Sequence, residues 1–186
     1  MAKYILDTNV YIQAHVGYYN PDIAPNYWDL LKDFGNKDLI KSPKQVRNEI
    51  SEKNIWLSAW KKDNKIFLGE DLKGIMPFFN KVREKYTEVK AENFVILRKQ
   101  YKGKYNPNRD EPLSDADMFV IATVLFYKHN FPAMEVVLVT KENTNITAYK
   151  SVRIPHVCNT FGIRCIDDFE FLKEIGVKFD AKCNSR

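Results

Sequence analysis

The sequence predicts an α/β fold built round a parallel sheet, and three observations carry that expectation. Short apolar runs, KYIL near the start and EVVLVT and IRCI in the last third, are continuous rather than alternating, as in strands buried on both faces. Segments with helical spacing separate them, TNVYIQAHVGYY after the first and IPHVCNTFG and DFEFLKEIG around the last. Strands alternating with helices require crossover connections, hence a parallel sheet covered on both sides.

Element by element, KYIL reads as a buried strand and TNVYIQAHVGYY as a helix, after which Pro21 and Pro25 break the chain. NYWDLLKDFGN suits a second amphipathic helix stopped at Gly35, and LIKSP a strand. Ser42 is expected to cap one long helix, KQVRNEISEKNIWLSAWKKD, with Val46, Ile50 and Leu57 on its apolar stripe. Residues 64–112 read as a helical, basic elaboration: DLKGIMPFFNKVREKYTEV and ENFVILRKQY suit helices, and KGKYNPNRDEP a loop. LSDADMFVIATVLFYKHN is a helix entered through Ser114, whose hydroxyl can cap the N–H of Asp117. Pro155 and Gly162 bracket a short helix between the last two strands.

The 186 residues predict a single domain, 1–186. Hydrophobic residues at 45% argue against disorder, and a formal charge of +5 permits a polyanionic partner without requiring one. Three cysteines without a C-x-x-C pair make a disulfide framework unexpected. The opening MAKYILDTNVYI lacks the pattern of a secretory signal, and the longest apolar stretch, Phe119 to Tyr127, falls short of the roughly 20 residues a membrane span needs. A soluble cytoplasmic protein is the expectation.

Four acids stand where parallel sheets bind ligands, beyond the carboxyl ends of strands. Asp7 follows the first strand, Glu142 the strand VVLVT, and Glu49 and Asp117 sit on neighbouring helices. Each has a plainer use: Asp7 as a helix cap, Glu49 as a solvated helix face, Asp117 as a complement to the helix dipole, and Glu142 with Asn143 as a polar loop. Four convergent carboxylates could not all stay ionised without a counter-ion. Mg²⁺ or Mn²⁺, hard cations that prefer oxygen ligands, would meet that need.

Four motifs occur in order: ILDTNVYI, an acid in RNEI, D-x-x-x-I-A-T from Asp117 to Thr123, and VLVTKE. In these the chain resembles the PIN-domain superfamily, the nucleases that include VapC-type toxins. The ending IPHVCNTFGIRCIDDFEFLKEIGVKF resembles more narrowly a PIN-like family of bacteria and archaea with an I-P-x-V-C helix and a closing F-x-F-L-x-x-x-G. The resemblance implies a three-layer α/β/α sandwich in which Asp7, Glu49 and Asp117 hold the metal. It assigns catalytic standing to Glu142 too, although many relatives carry aspartate there; Asn143 and Asn145 are substitutes. Thr8, Asn9 and Thr140, with Asn143, would orient carboxylates or contact phosphate. The activity implied is metal-dependent hydrolysis of RNA leaving 5′-phosphate and 3′-hydroxyl ends, in a toxin paired with an antitoxin protein and forming a homodimer.

Basic residues interleaved with tyrosines, from Lys81, Arg83, Lys85 and Tyr86 to Arg98, Lys99, Tyr101, Lys102, Lys104, Tyr105 and Arg109, form a candidate track for single-stranded RNA. A solvated helix face followed by a loop is the plainer reading. His15, His129 and His156 are scattered without H-E-x-x-H, which disfavours a zinc hydrolase. Cys158 reads as a small buried hydrophobe, and Trp28, Trp56 and Trp60 as core or partner-facing aromatics. The main competitor to the nuclease is a non-catalytic binding module of the same fold. A haloacid-dehalogenase-type enzyme needs a second acid where Asn9 stands, and no phosphate-binding G-x-x-x-x-G-K-[ST] loop occurs.

Overall fold

The computed structural model describes residues 2–100, 112–142 and 152–178. Its first strand, β1 (Lys3–Leu6), is buried along its length and pairs in parallel with β2 (Ile40–Pro43) on one side and β4 (Val136–Val139) on the other. The strands β3 (Leu68–Glu70) and β5 (Cys165–Ile166) complete a five-stranded, all-parallel sheet in the order β3-β2-β1-β4-β5. Four consecutive apolar residues in β4, all buried, are what a strand covered on both faces requires. Consecutive side chains of β1 demonstrate that cover. Lys3 lies over the ring of Tyr127 on α6 (Asp115–Asn130), whereas Tyr4 meets Phe171 of α8 (Asp168–Glu174) on the opposite face. The architecture is a three-layer α/β/α sandwich.

Most helices form where their local signals place them. These are α1 (Thr8–Val16), α2 (Pro25–Asn36), α6, α7 (Ile154–Thr160) and α8. Ser114 caps α6 through a reciprocal pair of bonds: its Oγ accepts from Asp117 N (3.1 Å), and its own N donates to Asp117 Oδ2 (2.8 Å). Val120, Val124 and Tyr127 of this helix are buried.

Four expectations need correction. Gly35 does not stop α2; it lies inside the helix, where a Cβ would stand 2.0 Å from the Phe67 ring, so the position needs the absence of a side chain. The single helix expected over 44–63 is two, α3 (Lys44–Glu49) and α4 (Ile55–Asp63). The break falls at the polar stretch after Ile50, because Asn54 starts α4 afresh by accepting from Leu57 N (2.9 Å). Ser42 does not cap α3, whose preceding residue is Pro43. Its hydroxyl is buried, donating to Leu6 O (2.7 Å) and bonded to Tyr11 Oη (2.9 Å). Finally, the elaboration over 64–112 is not purely helical. Its first part supplies β3 to the sheet, and α5 (Met76–Gln100) then runs as one helix of 25 residues packed on α6. The segment 101–111 lies outside the described residues.

Candidate functional site

In the strand order, β1 joins a half wound toward β2 and β3 to a half formed by β4 and β5. The C-terminal ends of β1 and β4 therefore flank the switch point where open α/β sheets form ligand crevices. A pocket of about 450 Å³ opens there, lined among others by Thr8, Asn9, Glu49, Ser114, Asp117 and Glu142. Five separate parts of the chain meet at it: the β1–α1 junction, the end of α3, the start of α6, the exit of β4 and the start of α7.

Asp7 lies behind this wall, fully buried. Its backbone continues the sheet, donating to Val139 O (3.0 Å), while its carboxylate caps α1 by accepting from Thr8 N (2.6 Å). The other oxygen accepts from Thr140 Oγ1 (3.0 Å), whose hydroxyl in turn accepts from Glu142 N (3.1 Å). One threonine thus couples the two strand-end acids. On the opposite wall Glu49, exposed at the end of α3, receives a hydroxyl at each oxygen, from Thr8 (2.5 Å) and from Ser114 (2.9 Å). Because Ser114 also caps Asp117, a chain of hydrogen bonds runs Thr8–Glu49–Ser114–Asp117.

The electrostatics are unfavourable to ionised acids. Burial first, then the charges of Asp117 and Glu142, push the Asp7 carboxyl up to about 7, against the opposing bonds from Thr140 and Thr8. Burial, reinforced by Glu49, also raises Asp117 despite its bonds to Ser114. Glu142 is raised by burial and by Asp117, although Ile154 N (2.7 Å) and Arg153, 3.6 Å away, oppose the shift.

Glu49, Asp117 and Glu142 therefore share one pocket with Thr8 and Asn9, and Asp7 and Thr140 stand immediately behind it. As the side chains stand, no three His, Cys, Asp or Glu groups among the described residues are close enough to hold an ion between them. Glu142 is turned toward the start of α7, where Oε2 accepts from Ile154 N. Asn143, Asn145, Tyr101, Lys102, Lys104, Tyr105 and Arg109 lie outside the described residues. Lys99 is exposed on the last turn of α5 and is not among the residues lining the pocket.

One part of the expected RNA track is corrected: Tyr86 is buried and accepts from Leu113 N (3.4 Å), so its ring is closed to an incoming base. Lys85 is bonded to Glu88 one turn on. Trp28 is buried, Trp60 partly buried and Trp56 38% exposed, and their rings pack together beside His15. Cys158 is a buried apolar filler, as its helical spacing suggests.

Two pocket residues escape sequence reasoning. Ser114 announces itself as a cap but not as a donor to Glu49, which is 65 positions away. Arg153, beside Glu142, carries no motif signal at all.

The chain belongs to the DUF4411 family, a domain of unknown function, whose family model matches residues 4–179. No curated protein and no solved structure matches it.

Proposed function

We propose that this member of the DUF4411 family is a divalent-metal-dependent ribonuclease whose centre is the acid pocket at the ends of β1 and β4. The observation that carries the reading is the convergence of Asp7, Glu49, Asp117 and Glu142 from distant parts of the chain on one crevice, three of them held above the ordinary carboxylate range. A protein gains no stability from such crowding, and it is what a resident cation would relieve.

The donor set fits Mg²⁺ or Mn²⁺: every candidate ligand atom is a carboxylate or hydroxyl oxygen, and none is sulfur or imidazole. Asp7, Glu49 and Asp117 would be the residues to hold such an ion, directly or through waters that it keeps. When bound, such an ion supplies polarisation of a phosphoryl oxygen and acidification of a bound water.

The chain's own residues supply placement. Thr140 fixes the Asp7 carboxylate, the Thr8 and Ser114 hydroxyls hold both oxygens of Glu49, and the α6 cap sets Asp117. Glu142 is held by Ile154 N and serves through its charge rather than as a direct ligand. RNA as substrate, an antitoxin partner, a homodimer and a toxin role rest on the resemblance to PIN-domain nucleases, and Lys99, Tyr101, Lys102 and Lys104 complete the reading as an RNA track. The orientation of Glu142 favours a second reading, in which the acids serve only the fold of a non-catalytic binding module.

Incubation of single-stranded RNA with the protein and Mn²⁺, beside Asp7→Asn and Asp117→Asn, separates the two. Cleavage by the parent alone, leaving 5′-phosphate ends, is the expected result. No cleavage by any of the three, with melting indifferent to Mn²⁺, would establish the binding module.

A further inference from the structure

Three carboxylates line the pocket, with Asp7 buried behind them, but the lining has a single cationic side chain among the described residues, the Arg153 guanidinium. A phosphodiester entering such a pocket meets repulsion on nearly every side, so whatever positive charge the chain itself supplies there decides where the phosphate can sit. Lys141, adjacent to Glu142 in sequence, is not available for that task. Its ammonium is bound to the buried Asp168 (2.5 Å) and lies over the Phe169 ring.

Arg153 is placed differently. Its backbone is fixed at the entrance of α7, with its N donating to His156 Nδ1 (2.9 Å) and the following Ile154 N bonded to Glu142 (2.7 Å). Its side chain is 48% exposed and touches Glu142 only at 3.6 Å, well beyond the roughly 2.7–2.9 Å of a committed charge-assisted bond. A guanidinium carries five N–H donors in a rigid fork. Here that fork sits on an anchored backbone, loosely paired, at the mouth of an acid pocket.

We propose that Arg153 is the substrate-positioning residue of this site: it leaves its loose contact with Glu142 to take a non-bridging oxygen pair of a phosphate in single-stranded RNA. The assignment rests on the nuclease reading for its choice of substrate, but its own evidence is the placement of Arg153, the one cation lining the pocket among the described residues. The contact forms in the ground state and persists through the reaction, so its loss falls on KM rather than kcat.

The test uses the full chain, a fluorescein-labelled five-nucleotide oligouridylate, Ca²⁺ in place of Mn²⁺ for binding by anisotropy over a range of salt, and Mn²⁺ for cleavage. Arg153→Gln is expected to weaken binding about tenfold and to reduce the slope of log affinity against log salt by about 0.7, the loss of one phosphate contact on a single strand. Arg153→Lys is expected to restore the slope and only part of the affinity, because it keeps the charge and loses the fork. In cleavage, Arg153→Gln should raise KM about tenfold and leave kcat within about threefold. A slope and affinity equal to the parent's would overturn the assignment, as would weaker binding that tracks a fall in melting temperature with the slope unchanged. No binding by the parent at all would overturn it too. Binding that depends on Arg153 without any cleavage would leave the assignment standing and sink the nuclease reading. Cleavage that ignores Arg153 would do the reverse.

Discussion

The two ends of the sheet treat charge in opposite ways. At the N-terminal end of β1, Lys3 is nearly buried yet bound to Asp38 (2.6 Å), which also holds Lys41 (3.0 Å). Burial alone would raise Asp38, but its bonds to Lys3 and Lys41 outweigh that and hold it below its ordinary range. Nearby, Glu174 accepts from Tyr4 Oη (3.1 Å) and pairs with Arg164. At the C-terminal end, 4 residues on, Asp7 is pushed up to about 7 with Asp117 and Glu142 raised beside it. One end is an arrangement of satisfied pairs; at the other, beside the paired Lys141 and Asp168, the pocket gathers like charge against one loosely held arginine among the described residues. Charges that serve the fold are paired where they are buried. The unpaired set therefore marks the end of the sheet at which something other than folding sets the composition.

The sharpest way to test that contrast is to remove the central acid. Asp7→Asn keeps an oxygen for Thr8 N and ends the like-charge repulsion. In metal-free protein at pH 8 it is expected to stabilise the fold by on the order of 3 kcal/mol, since each unit of raised pKa is worth about 1.36 kcal/mol. That is a rise in melting temperature of roughly 6–12 °C for a chain of this size. The same variant should lose the thermal shift that Mn²⁺ gives the parent.

The pH dependence follows with its sign. The folded-state pKa of Asp7 lies above its unfolded value, so its favourable contribution is complete below about pH 4 and is lost as pH rises through about 7. Between pH 6 and 8 the metal-free parent should lose about 1.4 kcal/mol from this group, and a melting series should show Mn²⁺ removing most of that fall. Asp7→Asn should flatten the profile.

Smaller effects belong to the opposite end. Lys3→Met removes a buried ammonium from a partner that is 63% exposed, and the solvent-screened pair is worth about 1 kcal/mol at most. Chemical denaturation should register that loss, with the Mn²⁺ shift unaltered. Glu174→Gln, at the surface, should cost a few tenths of a kcal/mol and leave RNA cleavage unaffected. A change in metal response from either variant would break the distinction between the two ends.

What could be read from the sequence followed the range of the interactions involved. β1, β4 and α6 announce themselves because continuous apolar runs and a Ser-x-x-Asp cap are local signals. The order of Asp7, Glu49, Asp117 and Glu142 was likewise readable, because each sits next to a strand or a cap. β3 was not, since three residues become a strand only by pairing with the edge of β2. The break between α3 and α4 was hidden for a related reason: Val46, Ile50 and Leu57 are all buried as a single stripe would bury them, and only the Asn54 cap reveals two helices. The bonds joining Glu49 to Thr8 and Ser114, and the approach of Arg153 to Glu142, connect positions that only the folded chain brings together. Gly35 belongs to the same class, a helix breaker by type and a packing requirement in fact.

The most direct measurement is a calorimetric titration of metal-free protein with Mn²⁺ at pH 7, repeated for Asp117→Asn. Saturable binding by the parent is expected, accompanied by release of about half a proton from Asp7, with binding at least tenfold weaker in the variant. Equal heats for both proteins, or none for either, would contradict it.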